Sequence, residues 1–247
     1  MHRTKVHTSA LCFIPPPDAQ EAIQRLRQLH DRQIRRWPPH VNVCYPFVPL
    51  PEFEAAASHL ASCLRGFPPF DVTFRQLRHF AHGKKSFTAW LDPEASALQW
   101  QELVELCTRA FPHCSEQKQR GFVPHLTVGQ FQSEREVQAL EESIRGSWDS
   151  VRVQVADLAL ISREGQDQPF FVHWRVRLGS GVTMRESPPS RSVWLQPGTG
   201  DEREAVQSLT SGGTQDANAK EENDPKGDEG STLETYEPKS PNSSRLE

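Results

Sequence analysis

A short phrase occurs twice in the chain, and its copies sit in equivalent places of a longer repeat. The first is Trp37-Pro38-Pro39-His40-Val41-Asn42-Val43, and the second is Phe122-Val123-Pro124-His125-Leu126-Thr127-Val128. Each carries an aromatic residue, a proline and a histidine, then an apolar–polar–apolar alternation with the two-residue period of a strand. On a strand His40 and Asn42 share one face, as do His125 and Thr127, while Val41, Val43, Leu126 and Val128 turn the other way. Similar elements follow each copy in the same order: helix, strand, polar loop, strand. The expected fold class is therefore α+β. It is a bilobal, duplicated unit with pseudo-two-fold symmetry, with antiparallel sheets lining a central cleft and helices outside. Such a repeat brings both histidine strands to one cleft.

The remaining pattern fills in that unit. The apolar run Thr8 to Ile14 reads as a buried strand, closed by Pro15-Pro16-Pro17. Asp18 and Glu21 form a capping-box pattern ahead of a helix whose stripe is Ala22, Ile23, Leu26, Leu29 and His30. Helical periodicity recurs over 52–65 and 95–110, and again after the Ser133/Glu136 capping box, with Val137, Leu140, Ile144 and Trp148 on one side. Phe70, Val72 and Phe74 alternate as a strand, and Phe87, Ala89 and Leu91 as its partner. Between them His79 to Lys85 reads as a polar connection. Strands are expected over 151–160 and 172–178, joined by the loop Ser162 to Pro169, which the repeat equates with the Lys84-Lys85 loop.

From residue 180 the chain turns to Ser, Gly, Pro, Asp, Glu and Lys. Such a segment buries too little apolar surface to offset its ordering entropy. The expected division is a folded domain over 1–179 and a disordered acidic low-complexity tail over 180–247, the tail being left as a candidate site for a protein partner. The net charge of -4 divides into -6 on the tail and +2 on the domain. A nearly neutral domain lacks the basic field of a duplex-DNA binder. The five cysteines are widely spaced without a C-x-x-C pair, which fits free thiols in a reducing compartment, cytoplasm or nucleus. No signal-peptide core is seen, and no apolar run is long enough to span a membrane. The spacing of His79, His82, Cys107, His113 and Cys114 matches no structural zinc pattern. Neither metal nor cofactor is expected, and the domain is expected to be a monomer.

Two histidines facing one small anion can do phosphodiester chemistry. One deprotonates an incoming water and the other protonates the leaving oxygen. The Thr127 hydroxyl and the Asn42 amide can donate to phosphoryl oxygens. Tyr45, Phe47, Phe87 and Phe170 are candidates to stack a base, although each also suits a core. Lys84, Lys85 and Arg163 are candidates to contact phosphate, although exposed loop cations often touch nothing. The assignment of acid and base between the histidines stays open.

The paired H-x-[ST]-x strands, with R-R-W-P-P-H-V-N-V-C-Y-P-F at 35–47 and G-F-V-P-H-L-T-V-G-Q-F at 121–131, resemble the 2H phosphoesterase superfamily over about residues 5–179. That resemblance implies metal-independent cleavage of 2′,3′-cyclic phosphates of nucleotides or RNA ends, or of 2′-5′ linkages. It implies a nucleotide or a phosphate-ended RNA as partner. By position it makes His40 and His125 the catalytic pair and Thr127 a phosphate ligand. Asn42 stands where the family usually has Thr or Ser. The alternative is a catalytically weak nucleotide- or RNA-binding module of the same fold.

Overall fold

The computed structural model describes residues 4–94, 97–114 and 121–190. The first apolar run forms β1 (Ser9–Phe13), and the prolines after it open α1 (Pro17–His30). Then come β2 (Val41–Cys44), a short 3-10 turn (Leu50–Glu52), α2 (Phe53–Cys63), β3 (Phe70–Gly83), β4 (Ser86–Glu94) and α3 (Ala97–Ala110). The second half holds β5 (Leu126–Phe131), α4 (Glu134–Ile144), β6 (Val151–Val155), β7 (Asp157–Ser162), β8 (Phe171–Arg177) and β9 (Thr183–Ser190). The strands make a five-stranded antiparallel sheet ordered β2-β1-β7-β8-β9 and a four-stranded one ordered β5-β4-β3-β6.

This topology is the expected duplicated α+β unit. Each histidine strand is the edge of its sheet: β2 beside β1, and β5 beside β4. The helices cross over, because α1 packs on β5 and α3 on β2. One apolar core joins both sheets. Leu11, Phe13 and Val43 meet Phe74, Leu91 and Val128, with Ile23, Leu60, Trp100 and Val137 from the helices. Trp100 is fully buried and lies edge-on to Phe13 of one sheet at 6.1 Å and Phe70 of the other at 5.3 Å.

Several expectations are corrected. The Lys84-Lys85 loop and the Arg163 loop are not equivalent. In space the neighbour of β5 is β4, but the neighbour of β2 is β1, so the β8 strand that follows Arg163 does not mirror β4. His79 to Gly83 is not a connection but the end of β3. Its pairing with β4 continues to Gly83 opposite Ser86, leaving only Lys84 and Lys85 as the turn. The run 151–160 is two strands, since the chain leaves one sheet and enters the other at Ala156. The expected tail begins too early, because Thr183 to Ser190 pair along β8 as an added edge strand. The rest of that tail, 191–247, lies outside the described residues.

Helix α1 also departs from its stripe. Asp18 does not cap it. Pro17 occupies the first turn and Pro16 the cap, because a proline there needs no N–H and already has a helical φ. Leu29 is 63% exposed, whereas Arg27 is 1% exposed. The last turn of α1 crosses to β5, so a paired Arg faces inward there. By contrast, the Ser133 cap of α4 forms as expected, its Oγ accepting from the Glu136 N–H at 3.3 Å. Among the described residues no helix is long and apolar enough to cross a membrane, and all five cysteines are free.

The crossing of α1 over β5 depends on Gly129. A Cβ there would lie 2.7 Å from His30 Cβ and 3.1 Å from the His30 carbonyl oxygen. Gly129→Ala is expected to destabilise the fold by about 1–3 kcal/mol through overpacking, read as a lowered denaturant midpoint. An unchanged midpoint would mean that the close approach is not made.

Candidate functional site

His40 and His125 each stand immediately before an edge strand, and each follows a proline. The residue before a proline is held extended, which leaves the carbonyls of Pro38 and Val123 beside the rings two residues on. His40 Nδ1–H donates to the Pro38 carbonyl at 2.7 Å, and His125 Nδ1–H donates to the Val123 carbonyl at 2.8 Å. A carbonyl oxygen only accepts, so both neutral rings carry their proton on Nδ1. In each ring Nε2 is then the atom that gains or loses a proton. The same bond recurs at both copies, which gives the two imidazoles the same tautomer.

The walls around the rings differ. Trp37 stacks on His40 with ring centroids 4.6 Å apart and planes at 15°. Trp37 in turn packs against Phe170 at 4.0 Å and edge-on to Tyr45 at 5.4 Å. Phe122, the sequence counterpart of Trp37, instead packs on the core beside Trp100. His125 is walled by Phe80, perpendicular at 5.1 Å, and by Trp90 at 6.0 Å. Phe80 and Trp90 stack on one another at 4.9 Å.

These walls set the electrostatics. Burial lowers the His40 pKa to about 4, against the Pro38 carbonyl bond that favours the charged ring. The charges of Arg27 and His125 push it the same way as burial, and Asp31 opposes them. Burial also lowers the His125 pKa, opposed by the Val123 carbonyl and assisted by His82. Protonation of His125 thus disfavours protonation of His40.

Asn42 lies on β2 opposite Cys12, and Thr127 lies on β5 opposite Trp90. Their flanking residues Val41, Val43, Leu126 and Val128 are buried in the core. Asn42 and Thr127 therefore sit on the opposite face of their strands, the alternation that the sequence implies. Asn42 Oδ1 is buried without a hydrogen-bond partner. A threonine hydroxyl would both donate and accept there.

The other candidate residues divide. Tyr45 stays near the site, its hydroxyl donating to the His7 carbonyl at 3.1 Å and its ring meeting Trp37. Phe47 is fully buried against Phe53 and Phe111, so it is no base platform. Phe87 packs in the core as well. Phe170 is 1% exposed and serves as backing for Trp37 rather than as a free stacking face. Arg163 is buried over the Phe170 ring at 4.8 Å, donates to the Gln166 carbonyl and holds its loop, so it is not a phosphate contact. Lys84 and Lys85 are exposed at the β3–β4 turn.

Several neighbours escape a sequence reading. Trp37 is visible only as the aromatic member of the repeated phrase. Phe80, Trp90 and His82 lie on β3 and β4, and no local signal ties those strands to His125. His82 Nε2 bonds the Thr88 hydroxyl at 2.9 Å. Among the described residues no three His, Cys, Asp or Glu converge as metal ligands.

Residues 15–167 match the 2'-5' RNA ligase superfamily. Comparison with curated proteins gives no match. Among solved structures, E. coli LigT complexed with 3'-AMP is similar at 18% identity, with 70% of this chain and 98% of LigT covered and a TM-score of 0.49. TT0787 of Thermus thermophilus is similar at 15% identity, with 69% and 97% covered and a TM-score of 0.45. Usb1 of Kluyveromyces marxianus is similar at 11% identity, with 72% and 97% covered and a TM-score of 0.38. With the family match spanning more than half of its length, the chain belongs to the 2'-5' RNA ligase superfamily, the 2H phosphoesterases, and its function is of the phosphoesterase type.

Proposed function

We propose that the chain is a metal-independent phosphodiesterase for 2',3'-cyclic phosphates of nucleotides or RNA ends, or for 2'-5' linkages, with His40 and His125 as general acid and base. The observation that carries this reading is the repeated Nδ1–H bond to the carbonyl two residues back. It leaves each Nε2 as a proton acceptor when neutral and a donor when charged. For a cyclic phosphate, the neutral ring takes a proton from water as the water oxygen bonds to phosphorus. The charged ring gives its proton to the ribose oxygen as the P–O bond breaks. The product is a phosphate monoester, and proton exchange with solvent restores the pair. Thr127, and the Asn42 amide nitrogen, donate to the phosphoryl oxygens.

His40→Ala and His125→Ala should each lower kcat by about 10²- to 10⁴-fold on a nucleotide 2',3'-cyclic phosphate. Wild-type turnover in either variant would overturn the reading. The second reading, a binding module, is favoured by the unpaired Asn42 Oδ1. Ligand binding by the wild type without hydrolysis above the double-variant background would select it. Asn42→Thr, which restores the hydroxyl, should retain or raise kcat if the chain is an enzyme.

The pH dependence has a definite sign. Both free rings titrate below the ordinary 6.5, His40 at about 4. Turnover needs one ring charged and one neutral, whichever is the acid, so kcat/KM should peak below pH 6.5 and fall as pH rises past it. A bound phosphate anion favours the charged ring, so the alkaline limb of kcat should lie at higher pH than that of kcat/KM. A kcat/KM profile flat up to pH 8 would contradict this.

A further inference from the structure

A polar chain with a buried centre runs from one histidine strand to the segment that leads into the other. Gln130 lies on β5, five residues after His125. Its Nε2 donates to Asp31 Oδ1 at 3.0 Å, and its Oε1 accepts from the Arg32 backbone N–H at 2.9 Å. Asp31, at the end of α1, accepts from Arg27 Nε on its other oxygen at 2.7 Å, and both side chains are 2% exposed. Arg27 Nη2 then donates to the carbonyl of Trp37 at 2.9 Å. Trp37 is the residue whose ring lies flat on His40.

We infer that Gln130 is a positioning residue that fixes His40 relative to His125, through the Asp31–Arg27 ion pair and the Trp37 carbonyl. The inference rests on the proposed two-histidine reaction for its meaning, but not for its test. Stability alone does not explain such a chain. A buried ion pair is often no better than apolar packing, but it accepts few geometries and so specifies one. Each link here is a directed bond, the central Arg27–Asp31 pair buried and the two flanking links half-buried, and the last link reaches the backbone three residues before His40. The Gln130 side-chain hydrogen bonds go to Asp31 and the Arg32 N–H and not to either ring, so its role is through the relay. Misplacement of one reacting group by about 1 Å costs up to ~10²-fold in rate.

The test uses the full chain. Gln130→Leu keeps the side-chain volume and breaks both Gln130 side-chain bonds. It should lower kcat by about 10- to 100-fold, with KM within about twofold of the wild type if ground-state binding is unaffected. Gln130→Glu keeps the acceptor for Arg32 but sets a carboxylate against Asp31. Its kcat relative to wild type should recover as pH falls and the new carboxyl becomes a donor to Asp31. His30, Arg27 and Arg32 are the other charged or titratable groups at that seam, and both proteins share them. Equal kcat in wild type and Gln130→Leu would overturn the inference.

If the wild type shows no turnover, the proposed function fails, and the relay is read by NMR of the histidine rings instead. Gln130→Leu should then shift the His40 ring signals and its titration midpoint, although residue 130 lies on the other sheet. Unchanged His40 signals in a folded variant would overturn the relay. If Gln130→Leu does not fold, the same ring comparison is made between wild type and Gln130→Glu across pH.

Discussion

The structure depends on one constraint: two edge strands of two different sheets must be held still without pairing to each other. An edge strand has backbone groups on its outer side that no sheet satisfies, and that is where His40 and His125 enter. Neither β2 nor β5 has a further strand on its outer side. The fold solves this by exchange, since α1 of the first copy braces β5 of the second and α3 of the second braces β2 of the first. The duplication is therefore a mutual arrangement rather than two independent lobes side by side.

The chemistry follows from the same arrangement. The rings of Trp37, Phe80 and Trp90 leave the imidazoles half-buried, and that partial burial favours their neutral forms. The two short carbonyl bonds work against burial, since an Nδ1–H donor is strengthened when the ring is charged. Each ring is thus neutral at rest while keeping a bond that supports the charged form. That balance suits a proton taken up and released within one cycle.

Much of this was legible in the sequence, and the rest was hidden for physical reasons. The histidine strands could be read because a two-residue period and a recurring proline survive in any context. The duplication could be read because the order of elements repeats. The aromatic wall could not. Phe47, Phe87 and Phe170 have the right chemistry for a base platform, but an aromatic residue carries no local mark of which face it will occupy. Arg163 looks like a loop cation, and only tertiary packing puts it over Phe170. Arg27 was invisible as a core residue although its partner Asp31 stands at the i,i+4 spacing, because that spacing marks solvated helix faces far more often than buried pairs. His79 to Gly83 read as a connection because polar residues on a strand whose outer face is not covered look like loop.

The flat stack of Trp37 on His40 has a consequence for how that imidazole carries charge. A neutral imidazole on an indole gains dispersion, whereas an imidazolium in the same place lies over the electron-rich face of the best cation–π partner among side chains. The contact therefore grows stronger as the ring is protonated, while the surrounding apolar volume grows more hostile to it. Trp37 acts as a local solvent for the cation, standing in for the water that burial removes. In the second copy the rings described around His125 do not lie flat on it: Phe80 meets it at a right angle and Trp90 at 66°. The pseudo-symmetric pair is in this respect unequal, with one ring laid flat on an indole and the other met by aromatic rings at steep angles.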